Sequence, residues 1–310
     1  MAQITAKDVA ALRAKTGLGM MDCKKALVEA DGDVEAAIKI LREKGLATAA
    51  KKEGRIASEG VVDILVEGDT AAIIEVNSET DFVAKNETFR TFVKGLLKTI
   101  LDTKPANLVE LAEKTYTGSD ITVAAKLTEM IAMIGEKLSI RRFATVSGAL
   151  STYIHGAGTT GVIVKFEGDD AVLGSADFAE VAKNIALQIA AGNPPTYIDV
   201  TDVPQSVVDE ELSIQVAAAK NDEKLANKPD EVLKKIVAGK MGKNFFAKVC
   251  LNEQDYVKDD SMTVGKYLAG EGKRLGGSLK VAQFVLYERG EGLEKREEDF
   301  AAEIAKMVNG

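Results

Sequence analysis

The sequence contains few of the residues that build metal and redox sites: one histidine, two cysteines and no tryptophan among 310 residues. One histidine cannot make a multi-histidine metal site. Two cysteines as far apart as Cys23 and Cys250 form neither a zinc framework nor a CxxC redox pair, and inert core thiols are expected at both. No apolar run approaches ~20 residues, the length that crosses a bilayer. We therefore expect neither a metal centre nor a membrane-spanning helix.

The sequence has no excess of positive charge, because 40 Lys and Arg are outnumbered by 48 Asp and Glu and the net charge is −8. An acidic chain is a poor binder of nucleic-acid phosphates, which need a basic face. Residues 1–56 depart from this balance with 11 basic and 8 acidic side chains, which indicates a separable N-terminal module. The polar start, MAQITAKDVAALRAK, is unlike a signal peptide, so a reducing cytosolic setting is expected.

The first 56 residues are predicted to form three short helices. Thr5 is placed to cap the first and Gly17 to end it. Asp22 restarts a helix, which leaves Met20 and Met21 in the preceding loop. Asp33 caps the third, whose apolar residues keep helical spacing until Gly45 ends it.

The next part of the chain mixes strands and helices. A hairpin is predicted around the turn EGDT, and a helix with a continuous apolar face follows Asn86. The predicted strands are 60–66, 71–76 and 140–147, and two further helices are predicted at 107–115 and 120–138.

The order of strand, turn, strand and helix occurs twice, near 60–101 and again near 150–191. In the second copy a strand is predicted at 161–166 and a helix opens at Asp177. Because the order repeats with little sequence identity, an internal duplication is predicted.

The last third contains two consecutive helices. Those at 206–220 and 230–247 are joined by a short connection, which favours an antiparallel helical hairpin. Strands are predicted at 249–257 and 279–288, and a closing helix at about 293–308.

Two glycine-rich segments resemble nucleotide-binding loops. Gly156 to Gly161 spells GxGxxG, but it leads into the strand GVIVKF, whereas a dinucleotide site needs a helix that opens on the last glycine. A turn is the better interpretation. The basic stretch from Gly270 to Gly277 has no phosphate-loop pattern and is predicted to be a surface loop.

Three features leave two interpretations open. His155 is either a hydrogen-bonded surface residue of a hairpin or a catalytic base. Met20 and Met21 are either partly buried or an adaptable contact patch. In the segment Thr80-Asp81-Phe82-Val83, predicted to be a connecting loop, the phenylalanine either staples the start of the following helix or projects with the aspartate as a wedge.

These segments carry a resemblance to a known family. The runs ITAKDVAALRAKTGLGMMDCKKAL, EVNSETDFVAKNETF, IGEKLSIRRFA, YIHGAGTTGVIV and EGLEKREEDFAAEIAKM resemble bacterial elongation factor Ts over essentially the whole chain. That family consists of guanine-nucleotide exchange factors for the translational GTPase elongation factor Tu.

The resemblance implies an α+β fold in five parts. Residues 1–56 would be a ubiquitin-associated-like module with its linker, and 57–147 the first half of a duplicated core with antiparallel sheets. The second half would combine 148–192 with 249–291, around a coiled-coil hairpin at 193–248, and 292–310 would be a C-terminal helical module.

The resemblance also implies where the partner binds. Asp81 and Phe82, flanked by Thr80 and Val83, match a pair that intrudes beside the magnesium and phosphate region of elongation factor Tu. The other matching contacts are Arg13, Met20, Met21, Ile134, Gly135 and His155. Thr159 and Thr160 stand where the family carries a basic and an aliphatic residue.

An exchange factor of this kind performs no covalent chemistry, so no catalytic residue, metal or cofactor is expected. Its complex with the GTPase is either one-to-one or a dimer of such pairs, with no direct nucleic-acid or membrane contact. The rival functions are an enzyme that uses His155, a passive binding protein, and an RNA-binding protein that uses residues 1–56.

Overall fold

The computed structural model describes residues 4–294 except 192, 223–224 and 226–227, and shows helices combined with small antiparallel sheets. The helices are α1 (Ala6–Thr16), α2 (Met20–Glu29), α3 (Val34–Lys52), α4 (Asp81–Lys85), α5 (Glu87–Thr103), α6 (Leu108–Glu113), α7 (Val123–Ile134), α8 (Asp170–Leu173), α9 (Phe178–Ala190), α10 (Gln205–Lys220), α11 (Asp230–Met241), α12 (Ala247–Val249) and α13 (Val264–Arg274). The strands are β1 (Glu59–Glu67), β2 (Thr70–Ser78), β3 (Leu138–Ser147), β4 (Ala149–His155), β5 (Thr160–Gly168), β6 (Asp255–Tyr256), β7 (Asp259–Thr263) and β8 (Leu279–Glu288). None of the described helices is both long and apolar enough to cross a membrane.

Helices α1 to α3 have the predicted caps but not all the predicted ends. Thr5 caps α1 in a capping box, and Gly17 ends it with φ of +67°. The prediction that Met20 and Met21 lie in a loop is wrong, because α2 begins at Met20.

The prediction that Gly45 ends the third helix is also wrong, since α3 continues to Lys52. A Cβ at Gly45 would lie 3.6 Å from side chains of Thr128 and Ala132, so this glycine is where α3 packs against α7. Packing and the following alanine-rich turns offset the cost of about 1 kcal/mol that glycine imposes on a helix.

The first sheet has the order β1-β2-β3, with every pair antiparallel. Asn86 caps α5, and the apolar face of α5 packs on the sheet through Phe89, Phe92 and Leu96. The helix predicted at 120–138 ends earlier, at Ile134, because Gly135 takes a left-handed conformation with φ of +82°.

The second sheet repeats the plan of the first, in the order β4-β5-β8. Each sheet has a bulge in a strand that pairs with its central strand. The extra residue is Arg141 of β3, opposite Glu75 and Val76 of β2, and Ala282 of β8, opposite Lys165 and Phe166 of β5. Both register shifts fall at the same distance from the start of the central strand, so the two sheets share this irregularity.

The two sheets face each other across a small apolar cluster that includes Val62, Ile73 and Ile163. A Cβ at Gly161 would lie 2.5 Å from a methyl group of Val62, so only glycine lets the sheets approach this closely here. The second hairpin is thereby held against the first sheet.

Helices α10 and α11 pack side by side through one buried cluster, formed by Val216 of α10 and by Leu233 and Val237 of α11. The helix predicted at 230–247 is interrupted by a π-helical turn, Gly242–Phe246, before α12. Inserting one extra residue in a helical turn produces such a bulge.

Two further predictions in this region are wrong. The strand predicted at 249–257 is a 3₁₀ turn, Leu251–Glu253, followed by the two-residue β6, since its apolar residues are buried by tertiary packing rather than by a sheet. The loop predicted at 270–277 is largely the end of α13, which Thr263 caps. The predicted helix at 293–308 lies almost wholly outside the described residues.

Candidate functional site

The segment after β2 is a single helical turn, α4, and not the predicted loop. Two neighbouring side chains of α4 differ in burial: Val83 is buried in the core of the first sheet, whereas Phe82 is 80% exposed. Phe82 therefore does not staple the following helix, and the buried neighbour anchors the turn instead. An aromatic ring this exposed on a firmly anchored turn is suited to contact another molecule.

Asp81 and Lys85 form an ion pair one turn apart on α4, with the carboxylate and ammonium 2.6 Å apart. The hydrogen bond from Lys85 lowers the pKa of the Asp81 carboxyl, and the more distant charge of Arg289 acts in the same direction. The Lys85 ammonium also lies 6.0 Å from the centre of the Phe82 ring. The exposed aromatic ring thus stands beside an ionised carboxylate.

Glu136 holds the start of α4, a role that the sequence interpretation missed. Its carboxylate accepts hydrogen bonds from the backbone N–H of Thr80 at 3.0 Å and from the Thr80 hydroxyl at 2.7 Å. Because Glu136 directly follows Ile134 and Gly135, it brings that predicted contact segment to α4. The only signal in the sequence is an acidic residue just after a helix-ending glycine.

His155 lies at the exposed end of β4, and its ring Nδ1 is 2.9 Å from the hydroxyl of Tyr153. Its ring therefore pairs with a phenol rather than with the carboxylate that would orient a general base. The GxGxxG segment after His155 forms the predicted turn and not a dinucleotide site, because its last glycine, Gly161, lies in the strand β5 and not at the start of a helix. In the part of the chain that the structure describes, no group of three or more His, Cys, Asp or Glu side chains could hold a metal ion.

This second hairpin is fixed to β1 of the first sheet by one backbone hydrogen bond, and a second backbone bond joins it to the residue that follows β8. The N–H of Val62 donates to the carbonyl of Gly158 at 2.8 Å, and the N–H of Arg289 donates to the carbonyl of Thr159 at 2.8 Å. The Arg289 guanidinium also pairs with Glu59 at 3.0 Å. The turn after His155 therefore sits on β1, in the half of the fold that carries α4.

Arg90, on α5, joins α4 to the second hairpin and was also missed. Its guanidinium donates to the carbonyl of Ala84 at 2.9 Å and to the carbonyl of Ala157 at 2.6 Å. An arginine on the first turn of a predicted amphipathic helix gave no sign of this role.

The remaining predicted contacts lie on the N-terminal helices. Met20 and Met21 are 54% and 61% exposed, which favours the exposed contact patch over core burial, and Arg13 is exposed as well. These residues lie on helices that pack around a separate apolar cluster, which includes Leu12 and Leu27. The helices connect to the segment beside α4 through the packing of α3 on α7 and through Lys52 at the end of α3, whose ammonium donates to the carbonyl of Gly135.

Comparison with known sequences relates the chain to one family. A family profile described as Elongation factor TS matches residues 79–291. A protein of Syntrophotalea carbinolica named Elongation factor Ts is 46% identical over 312 residues, which cover 99% of both chains. Proteins of the same name from Clostridium kluyveri and Trichlorobacter lovleyi are 46% and 45% identical, and the alignments cover 99% and 97% of this chain.

Proposed function

The chain belongs to the elongation factor Ts family of translation elongation factors, and on this premise we propose that it promotes the release of GDP from elongation factor Tu. The observation that carries the proposal is the pairing on α4 of an exposed aromatic ring, Phe82, with an ionised carboxylate, Asp81. The protein itself performs no covalent chemistry and needs no cofactor. It works in the cytoplasm on a protein partner.

The proposed mechanism is differential binding. A GTPase holds its nucleotide through magnesium and through backbone amides around the β-phosphate. A partner that binds the empty GTPase more tightly than the loaded one must weaken nucleotide binding by the same factor. The Phe82 ring displaces packed side chains of the GTPase, and the Asp81 carboxylate disturbs polar contacts near the metal.

The other predicted residues supply affinity rather than exchange. Met20 and Met21 offer exposed, adaptable apolar surface with Arg13 nearby on the preceding helix. Gly135 and His155 add contacts on either side of α4, to which Glu136 and Arg90 connect them. Thr80 and Val83 flank the pair and fix α4 for this contact, Thr80 through Glu136 and Val83 through the core of the first sheet.

The same premise gives the proposed division of the chain. Residues 1–56 are a ubiquitin-associated-like module, and 57–147 and 148–192 with 249–291 are the two halves of the core. Residues 193–248 are a coiled-coil hairpin and 292–310 a C-terminal module. The complex with elongation factor Tu is one-to-one or a dimer of such pairs, without nucleic acid or membrane.

The test is the release of fluorescently labelled GDP from purified elongation factor Tu at increasing concentrations of this protein. The double variant Asp81→Ala/Phe82→Ala should lower the maximal release rate by about tenfold or more, within the range of ordinary coupling energies. The matched control is Asp102→Ala/Val109→Ala. It removes a carboxylate that pairs with a lysine one turn away and an apolar side chain that is 74% exposed.

Three outcomes contradict the proposal. Equal release by the parent and the α4 variant would show that Asp81 and Phe82 do not drive exchange. Binding of the GTPase without any faster release would identify a passive binding protein. Turnover of a small substrate without the GTPase, abolished by His155→Ala, would identify an enzyme.

A further inference from the structure

Two elements of the proposed contact surface come from different halves of the chain and meet through one side chain. We propose that Arg90 is a positioning residue that holds α4 and the hairpin turn 155–159 as one rigid unit, so that Phe82 and His155 engage the GTPase together. This inference rests on the proposed exchange function.

The two acceptors of the Arg90 guanidinium explain why an arginine is needed. Ala84 lies in the last turn of α4, where carbonyl groups have no partner within the helix. Ala157 lies in the hairpin turn with φ of +56°, a left-handed conformation that is uncommon outside glycine. The planar guanidinium carries donors in a fixed fork, which lets one side chain serve both carbonyls at 2.9 and 2.6 Å.

The other bonds of the hairpin do not replace this bridge. Those from Val62 and Arg289 attach the turn to β1 and to the end of β8. Those of Glu136 attach the start of α4 to the segment after α7. Within residues 4–191, 193–222, 225 and 228–294, the hydrogen bonds that connect α4 to the hairpin turn run through Arg90.

A fixed spacing between two contact groups changes how they act on a partner. When two groups are held in the right geometry before binding, the entropy cost of ordering them does not reduce the free energy of binding. The partner then responds to both at once, and the effects of removing them are not additive. Without Arg90, α4 and the hairpin turn are attached to the first sheet separately, through Val83 and through the Val62 hydrogen bond, and we expect Phe82 and His155 to be less tightly coupled.

The experiment is a double-mutant cycle on the maximal rate of GDP release. Phe82→Ala, His155→Ala and their combination are measured in the parent and again with Arg90→Met. We expect the combined loss in the parent to differ by about threefold or more from the product of the single losses. In the Arg90→Met background we expect the loss of rate in the double variant to equal the product of the two single losses. We also expect the maximal rate itself to fall several-fold. Arg90→Lys, which donates from a single centre, should restore only part of the rate.

Arg274→Met is the matched control, because Arg274 also joins two partners, Asp177 and Glu271, in the other half of the fold. It should leave the rate and the cycle unchanged, while thermal unfolding shows whether both arginine variants are equally folded. The inference is overturned if the parent accelerates release and Arg90→Met keeps the same coupling, or if both arginine variants lose rate equally. If the parent itself does not accelerate release, the proposed function fails instead.

Discussion

The sharpest structural prediction concerns Glu75, whose side chain is fully buried between the first sheet and the turn after β8. Its carboxylate accepts from Arg142 at 2.6 Å, from Arg141 at 3.0 Å, from Asn77 at 3.1 Å and from the N–H of Gly290 at 2.8 Å. Glu75→Gln keeps the size of the side chain but points an amide donor at a group of donors.

The magnitude follows from what the variant leaves behind. Breaking a buried ion pair by neutralising one partner costs about 3–5 kcal/mol, since the other charge is left without compensation. Arg141 and Arg142 are partly exposed, with about a quarter of each side chain open to water. Water therefore relieves part of the loss, and we expect Glu75→Gln to lower the free energy of unfolding by about 3 kcal/mol at neutral pH.

The effect should depend on pH with a definite sign. Burial opposes ionisation of Glu75, but the hydrogen bonds from Gly290, Asn77 and the two arginines outweigh it and lower the pKa of the carboxyl. A carboxyl with a lower pKa in the folded state stabilises the protein above its unfolded pKa, and this contribution is lost as pH falls through the folded value. The difference in unfolding free energy between the parent and Glu75→Gln should therefore shrink below about pH 4.

The assay is urea unfolding followed by circular dichroism, at neutral pH and at two acidic values. Glu67→Gln is the control, because Glu67 pairs with Lys98 at 3.0 Å with both side chains exposed, and such pairs contribute about 0–1 kcal/mol. A loss below about 1 kcal/mol for Glu75→Gln at neutral pH, or a gap that stays constant in acid, would refute the electrostatic explanation.

Two helical glycines and the exposed methionines give the remaining predictions. Gly45→Ala should raise the unfolding free energy by about 0.5–1 kcal/mol, since its nearest neighbours are at 3.6 Å and alanine favours helix. Gly95→Ala should lower it by about 1–3 kcal/mol, because its Cβ would lie 1.9 Å from the Tyr116 hydroxyl. Both variants are measured by urea unfolding. Changes of the same sign in the unfolding free energy would contradict the difference in space around the two glycines. Met20→Ala/Met21→Ala should weaken binding to elongation factor Tu in calorimetry and leave thermal unfolding unchanged, and unaltered affinity would remove this patch from the interface.

Much of the fold could be predicted because it depends on neighbours in the chain. The caps Thr5 and Asn86 lie beside the N–H groups that they satisfy, and the apolar spacing of α5 is a local pattern. Gly17 ends a helix by its own left-handed conformation, which needs no distant partner.

The errors occur where distant contacts override local signals. Gly45 continues a helix because α7 packs against it, and the apolar residues of 249–257 are buried without joining a long strand. Phe82 and Val83 are adjacent and both apolar, yet one is exposed and the other is buried. Which of the two faces water depends on the surface beneath α4, and that surface belongs to β1, β2 and α5.

The sequence by itself determined the order of the elements, the hairpins and the segments that resemble the family, since these follow from caps, turns and spacing within a few residues. Only the tertiary structure decided how the proposed contact surface is assembled. Arg90 reaches Ala157, and Thr80 reaches Glu136, across 67 and 56 positions of the chain. No periodicity or turn signal encodes either pair. The contact of Thr80 with Glu136 forms beside the pairing of β2 with β3, and the contact of Arg90 with Ala157 exists only after the two sheets have packed face to face.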